Sequence, residues 1–367
     1  MPTGTGAIAI RNLPITKYSI NPGLFNALTS RVVFDPINFA LPSWGNYQNT
    51  QLLQVGIVAS INLIVQGNIT TVGGTVTIAP TAHWPWDLIS VQISGNGQNN
   101  FIACNGWDLT NRLRAANRAY VDTVSVAATA ANAAPFNVAT ASGGTNSAFK
   151  LCYKIPIAMD DTTLVGALYA QSEATNLVLK ITTGNMADLF NITAGTISIA
   201  ATVYIEEEIF EVPYDPQHSD TLIIPDLTVL HGLVSNDNAV ASQTTLDTQL
   251  FRINGQLERL FFYTVDLTTA AAPAFVANAT YTQAQLIYGS NQNPYTFNPM
   301  TMQRFRNNRD YRIAFPDGLY CLDFVADNPA RDLVLLEGVT NLRLRTQYSS
   351  APTGGSYVHF VQETLFA

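Results

Sequence analysis

The side chains able to do chemistry are few in this 367-residue sequence and badly spaced for it. His218, Ser219 and Asp220 are the residue types of a hydrolytic triad, but they are consecutive. Neighbours on one chain cannot turn toward one another as nucleophile, base and orienting carboxylate must, so a linker is predicted there. His83, His231 and His359 stand apart, with no H-x-x-x-H or H-x-H pair to place two imidazoles on one ion. Gly4-Thr5-Gly6-Ala7-Ile8-Ala9 fits the letters of a dinucleotide fingerprint, yet no strand precedes it and no βαβ unit follows. None of the four lysines (Lys17, Lys150, Lys154, Lys180) follows a glycine, as a phosphate-cradling loop requires, and no G-x-S-x-G elbow occurs. No catalytic residue, metal site or cofactor is expected.

Two charged groups remain. Glu206-Glu207-Glu208 with Glu211 is an acidic run at the end of a regular strand. Such oxygens suit calcium, but a solvated or arginine-paired strand end is the expected reading. Arg112, Arg114, Arg118, Arg304, Arg306, Arg309 and Arg312 hold half of the fourteen arginines, and pairing with carboxylates within or between subunits is expected of them. Cys104, Cys152 and Cys321 lie in apolar stretches with no CxxC pair, and are read as small buried hydrophobes in a reducing compartment.

Charged residues are only 12% of the chain, about half the usual share, against 47% hydrophobic. A soluble monomer normally carries more charge, so other copies are expected to cover much of the surface. The net charge of −8 argues against coating nucleic acid. Residues 1–34 differ: Arg11, Lys17 and Arg31 are basic and no residue is acidic. That arm is broken by prolines, lacks the apolar core of a secretion signal, and cannot form a long helix. Synthesis in the cytoplasm is expected, and the arm is predicted to order against a neighbouring subunit or an anionic membrane surface.

The elements that would position any site read as strands. Leu177, Leu179 and Ile181 alternate with Val178, Lys180 and Thr182; Leu342 and Leu344 alternate with Arg343 and Arg345; Ile197, Ile199, Ala201, Val203 and Ile205 extend the same period of two. Glycine turns such as Gly95-Asn96-Gly97 and Asn254-Gly255 separate them, and helical periodicity is limited to short candidates such as Thr162–Tyr169 and Asn185–Phe190.

The pattern occurs twice. Gln98-Asn99-Asn100-Phe101 is echoed by Gln292-Asn293-Pro294-Tyr295, and Asn111-Arg112-Leu113-Arg114 by Gln303-Arg304-Phe305-Arg306, 192 residues on. Thr175-Asn176-Leu177-Val178-Leu179-Lys180 is echoed by Thr340-Asn341-Leu342-Arg343-Leu344-Arg345, only 165 residues on. The first copy must therefore carry an insertion, placed at the Ala-, Thr- and Asn-rich stretch 121–148, with a linker around Val212–Asp220. The domains predicted are an arm at 1–34, a first barrel at 35–212 and a second at 219–367.

Lys154-Ile155-Pro156-Ile157-Ala158, Thr221-Leu222-Ile223-Ile224-Pro225-Asp226 and Phe315-Pro316-Asp317-Gly318-Leu319-Tyr320, taken in this order, resemble the double jelly-roll major capsid proteins of tectivirus-like phages. The resemblance implies an all-β chain of two tandem eight-stranded jelly-roll β-barrels with short helices in loops. It implies homotrimers that form pseudo-hexagonal capsomers and tile an icosahedral virion around an internal membrane. Partners would be neighbouring capsomers and the vertex and membrane-associated proteins, with no direct nucleic-acid contact. Two alternatives stay open: a tandem jelly-roll carbohydrate-binding or glycan-processing protein, for which Trp84-Pro85-Trp86 and Trp107 would supply aromatics, and a minor vertex protein of a virion.

Overall fold

The computed structural model describes residues 30–366 apart from 34–36, 74–75, 80–81, 96–97, 117–123, 127–144, 160–163, 171–175, 212–228, 241, 252–254, 267–273, 278, 289–294, 312–314, 326–332 and 340. The first half runs β1 (Ile37–Ala40), β2 (Tyr47–Gln51), β3 (Ile57–Val72), β4 (Ile89–Gly95), β5 (Gln98–Asn105), α1 (Gly106–Ala116), β6 (Thr145–Pro156), β7 (Val178–Thr183), the one-turn α2 (Met186–Leu189) and β8 (Thr196–Phe210). The second half runs β9 (Leu230–Ala239), β10 (Thr245–Gln249), β11 (Gly255–Asp266), β12 (Tyr281–Tyr288), β13 (Tyr295–Phe297), α3 (Met300–Tyr311), β14 (Tyr320–Asp323), β15 (Leu342–Tyr348) and β16 (Tyr357–Phe366).

The two halves have one topology. In the first, β1-β8-β3-β6 form one wall and β2-β7-β4-β5 the other; in the second, β9-β16-β11-β14 and β10-β15-β12-β13 do the same. Strand n of the first barrel corresponds to strand n + 8 of the second, which is the eight-stranded jelly roll predicted twice over. Period-two burial closes each sandwich: Ile89, Val91 and Ile93 of β4 and Leu179 and Ile181 of β7 point inward, as do Leu342 and Leu344 of β15. The helical expectation at Thr162–Tyr169 fails over its described part. Leu168 and Tyr169 there form a two-residue strand against Ile57 and Val58. Their apolar side chains are taken up by sheet pairing rather than by a helical face.

Register makes the correspondence residue by residue. Phe210 pairs with Ile57 and Glu208 with Ser60, leaving Ala59 as a bulge; Leu365 pairs with Gln256 and Glu363 with Arg259, leaving Glu258 as the bulge. The echoes of the sequence fall on matching elements: Phe101 and Tyr295 on β5 and β13, Arg112 and Arg304 on α1 and α3, Lys180 and Arg345 on β7 and β15. Of the stretch 121–148, only 124–126 and 145–148 are described, and these are not loop: Val124–Val126 pairs with Phe149–Leu151, and β6 already begins at Thr145.

A ten-stranded sheet crosses both barrels, because β5 pairs in parallel with β9 at Ile102–Leu233 and Ala103–Val234. Consequently β11 and β16 are buried on both faces, and their alternate residues enter different cores. Leu260 and Phe262 join the second-barrel core with Val358 and Phe360, whereas Phe261, Tyr263, Val265 and Val361 join the core continuous with the first barrel.

Candidate interface site: a buried charge cluster between the barrels

The wall shared by the barrels carries charge where a strand core is normally apolar. Helix α1 begins with a reciprocal cap: the Asn105 side chain accepts from Asp108 N–H at 2.8 Å, and Asp108 Oδ2 accepts from Asn105 N–H at 3.1 Å. The cap aims α1 across the seam. Arg112, two turns along, donates through Nε and Nη2 to Glu363 Oε1 of β16 at 3.0 and 2.8 Å, and through Nη2 to the Met159 carbonyl at 2.9 Å. Arg259 of β11 holds the other oxygen, Oε2, at 3.0 Å, and reaches Asp323 of β14 at 3.0 Å. Tyr311 of α3 donates to the same Asp323 carboxylate.

His231 of β9 completes the shell, with Nε2 2.9 Å from Glu363 Oε1 and Nδ1 3.3 Å from the Pro156 carbonyl. Both ring nitrogens thus face oxygen atoms. Burial alone would raise the Glu363 carboxyl, but Arg112, Arg259 and His231 overturn this and hold it well below the carboxylate range. The bulge residue Glu258 is the opposite case. Neither of its oxygens has a hydrogen-bond partner, its nearest basic groups are His231 at 3.8 Å and Arg259 at 4.0 Å, and burial pushes its pKa up to about 7.

A second link crosses the same seam. His359 of β16 lies between Asp108 of α1 (Nε2–Oδ1 2.9 Å) and Asp237 of β9 (Nδ1–Oδ1 2.6 Å). Burial opposes a charged ring, yet the two carboxylates push its pKa up to about 10. His359 stacks on Tyr263, which meets His83 edge-on, and His83 stacks on Trp107 of α1 at 4.4 Å between centroids.

The histidines read as isolated are therefore partnered in space. The nitrogen and oxygens of His231, Glu258 and Glu363 lie within 4.8 Å of one another, metal-like in residue type. Two guanidiniums already occupy the oxygens of Glu363, so the chemistry is that of an ion-pair network. The three residues are fully buried, and a closed network of this kind fixes two walls together and offers no substrate a path.

The other predicted residues are dispersed. Arg112 pairs with a carboxylate as expected, but Arg304 donates to the backbone carbonyls of Phe315, Pro316 and Leu319, and Arg306 and Arg309 are exposed, Arg309 beside Asp310. The side chains of Arg114, Arg118 and Arg312, the triplet His218–Asp220 and the fingerprint Gly4–Ala9 lie outside the described residues. The acidic run ends its strand as expected, β8 stopping at Phe210, but Glu207 and Glu208 are buried rather than solvated. Glu208 accepts from Ser60 at 2.7 Å and Asn62 at 3.2 Å and lies 3.5 Å from both Lys154 and Arg31. Trp84, Trp86 and Trp107 are buried in the core, where they cannot form an exposed sugar platform.

The network was invisible in sequence because Arg112 and Glu363 are 251 residues apart. The available signal was Glu258-Arg259 inside Leu257–Val265, and Glu363 inside Val361–Leu365: charges mid-strand in apolar runs.

No family model and no curated protein sequence matches the chain. Solved structures do match. A chain of the Sulfolobus Turreted Icosahedral Virus structure is 16% identical, with a TM-score of 0.65, covering 92% of this chain and 90% of that one. VP54 of PBCV-1, fitted into a reconstruction of the virophage Sputnik, is 12% identical with a TM-score of 0.60, over 92% and 93%. The major capsid protein P2 from bacteriophage PM2 is 11% identical with a TM-score of 0.50, over 92% and 98%. Both barrels lie within these matches, and the chain has the fold of the double jelly-roll capsid proteins.

Proposed function

We propose that this chain is a major capsid protein, a non-enzymatic building block that forms homotrimers and tiles the shell of a virion. The observation that carries the reading is the pair of barrels of one topology fused through a single sheet. One chain then presents two similar sides, and three chains present six, which pack as pseudo-hexagons. The reading takes the barrels as 35–212 and 219–367 and the arm as 1–34, of which Arg31–Val33 already pair with Glu208–Phe210 of the first barrel, with neighbouring capsomers as partners. It includes an internal membrane beneath the shell, which the arm touches through Arg11 and Lys17; Arg31 is turned toward Glu208. Catalysis, a cofactor and direct nucleic-acid contact have no place in it.

The test is the native mass of the purified protein by analytical ultracentrifugation, followed by electron microscopy of assembled material. A species three times the chain mass, adding to shells with the remaining virion components, is the expected outcome. A monodisperse monomer at micromolar concentration would overturn it.

A further inference from the structure

The charges between the barrels balance except for one proton. Arg112 and Arg259 are positive, and Glu363 and Asp323, which they hold, are negative. Tyr311 and Cys321 stay neutral, because burial pushes both well up. His231 and Glu258 are left over, both 0% exposed, and one atom from each lies within 4.8 Å of the other and of a Glu363 oxygen. A single titratable proton on this couple leaves the interior neutral, whether the ring or the carboxyl carries it. Without that proton Glu258 is a second carboxylate beside Glu363. One negative charge then stands uncompensated in the interior, a state that burial strongly disfavours.

The couple sits on the contact between the barrels. The first barrel supplies Arg112, the Pro156 and Met159 carbonyls, and the backbone at Gly166, where a Cβ would lie 2.6 Å from that of His231. The second supplies His231, Glu258, Arg259, Glu363 and Asp323. Among the described residues, main-chain pairing between the barrels is limited to Ile102–Leu233 and Ala103–Val234, so side chains carry much of the junction. The fold does not demand the carboxyl, since the first barrel has Ala59 at the same bulge.

We propose that the junction is a proton-operated latch: one proton held between His231 and Glu258 keeps the barrels closed on each other, and its loss as pH rises frees α1 from β16 and admits water to the seam. Burial raises Glu258 from an ordinary value of about 4.5 to about 7. A group raised in the fold stabilises it fully below its unfolded value and loses that contribution as pH climbs through the folded one, so the latch opens above about pH 7. The far end of the seam behaves differently. His359 between Asp108 and Asp237 keeps its charge until about pH 10, so the start of α1 stays pinned while the end at Arg112 is released. The latch acts within one chain and does not depend on copies assembling.

Hydrogen exchange of the unassembled full-length protein tests it, read by mass spectrometry as protection relative to the unfolded-chain rate at each pH. Between about pH 5.5 and about pH 8.5, residues 101–113 and 230–234 should lose at least about tenfold in protection, while residues 342–348 in the second core stay unchanged. Glu258→Gln, which keeps the shape and cannot ionise, should hold the seam equally protected at both pH values. Glu258→Ala, which copies Ala59, should do the same and serves if the glutamine variant fails to fold. A flat wild-type profile at the seam would overturn the latch. So would variants that follow the wild-type fall, or a loss spread equally over residues 342–348.

Discussion

Glu363 and Glu208 occupy one position in two copies of a fold, each opposite a one-residue bulge, and they are partnered in opposite ways. Glu363 is locked by two buried arginines and His231, whereas Glu208 leans on Ser60, Asn62 and two cations that reach solvent. The bulge opposite is Glu258 in one barrel and Ala59 in the other. A jelly roll therefore does not need charge at this point. The second barrel carries it because α1 arrives there from the first. The comparison teaches that the buried arginine lock and the bulge glutamate belong to the junction, whereas a paired glutamate on the last strand is common to both barrels.

The sharpest way to break this comparison is to neutralise both glutamates. Glu363→Gln strands Arg112 and Arg259 in the interior and should cost about 3–5 kcal/mol in urea unfolding. Glu208→Gln, in the unassembled protein, should cost about 1–2 kcal/mol, the loss of charge-assisted hydrogen bonds. Equal costs would mean that the junction is not special.

His359 sits where the first barrel has Tyr204, by the same register. Its pKa is raised in the fold from an ordinary value of about 6.5 to about 10. Stability from this ion pair is complete below about pH 6.5 and is lost as pH rises toward about 10. His359→Gln should flatten that alkaline fall, which is on the order of a few kcal/mol, in melting experiments across the window.

Glu207 and Gln362 also correspond. Gln362 accepts from Phe251 N–H and donates to its C=O, both at 3.1 Å, whereas Glu207 accepts from Leu53 N–H at 2.9 Å and leaves Oε2 without a partner. Burial pushes the Glu207 pKa up to about 7, so the fold holds it as an acid, and ionisation erodes stability as pH climbs from about 4.5 through about 7. Glu207→Gln copies the second barrel. It should gain about 1 kcal/mol at about pH 8 and little at about pH 4.5, by chemical denaturation at each.

The smallest effect belongs to an exposed pair. Asp247 holds Arg345 at 2.7 Å and Arg343 at 3.0 Å, and the first barrel has Asn49 opposite Lys180 instead. Asp247→Asn should cost about 0.2–1 kcal/mol, less in high salt.

Much of the fold was legible because strand period and repeat are local or near-local signals. Leu342 and Leu344, or Phe101 and Tyr295, announce their roles through neighbours alone. The 165-residue echo located matching strands before any coordinates, whereas the 192-residue echo fell on two matching helices, α1 and α3, that no helical period had announced. Thr162–Tyr169 misled because a short apolar run has no period long enough to separate helix from strand. The junction was illegible for a different reason. Arg112, His231, Glu258 and Glu363 each look solitary until β9, β11 and β16 align side by side, and sheet adjacency between distant strands leaves no spacing to read.

The parallel seam between β5 and β9 has a thermodynamic consequence for assembly. In the proposed trimer, three of six barrel-to-barrel junctions would be intramolecular and already formed when the chain folds. Only the other half cost translational and rotational entropy, which runs to several kcal/mol for each partner captured. The angle between neighbouring sides is also set before any second copy is met, because turning one barrel against the other would mean breaking main-chain hydrogen bonds in a shared sheet. In the proposed trimer each subunit would arrive as a preset corner, so that weak contacts between copies would suffice.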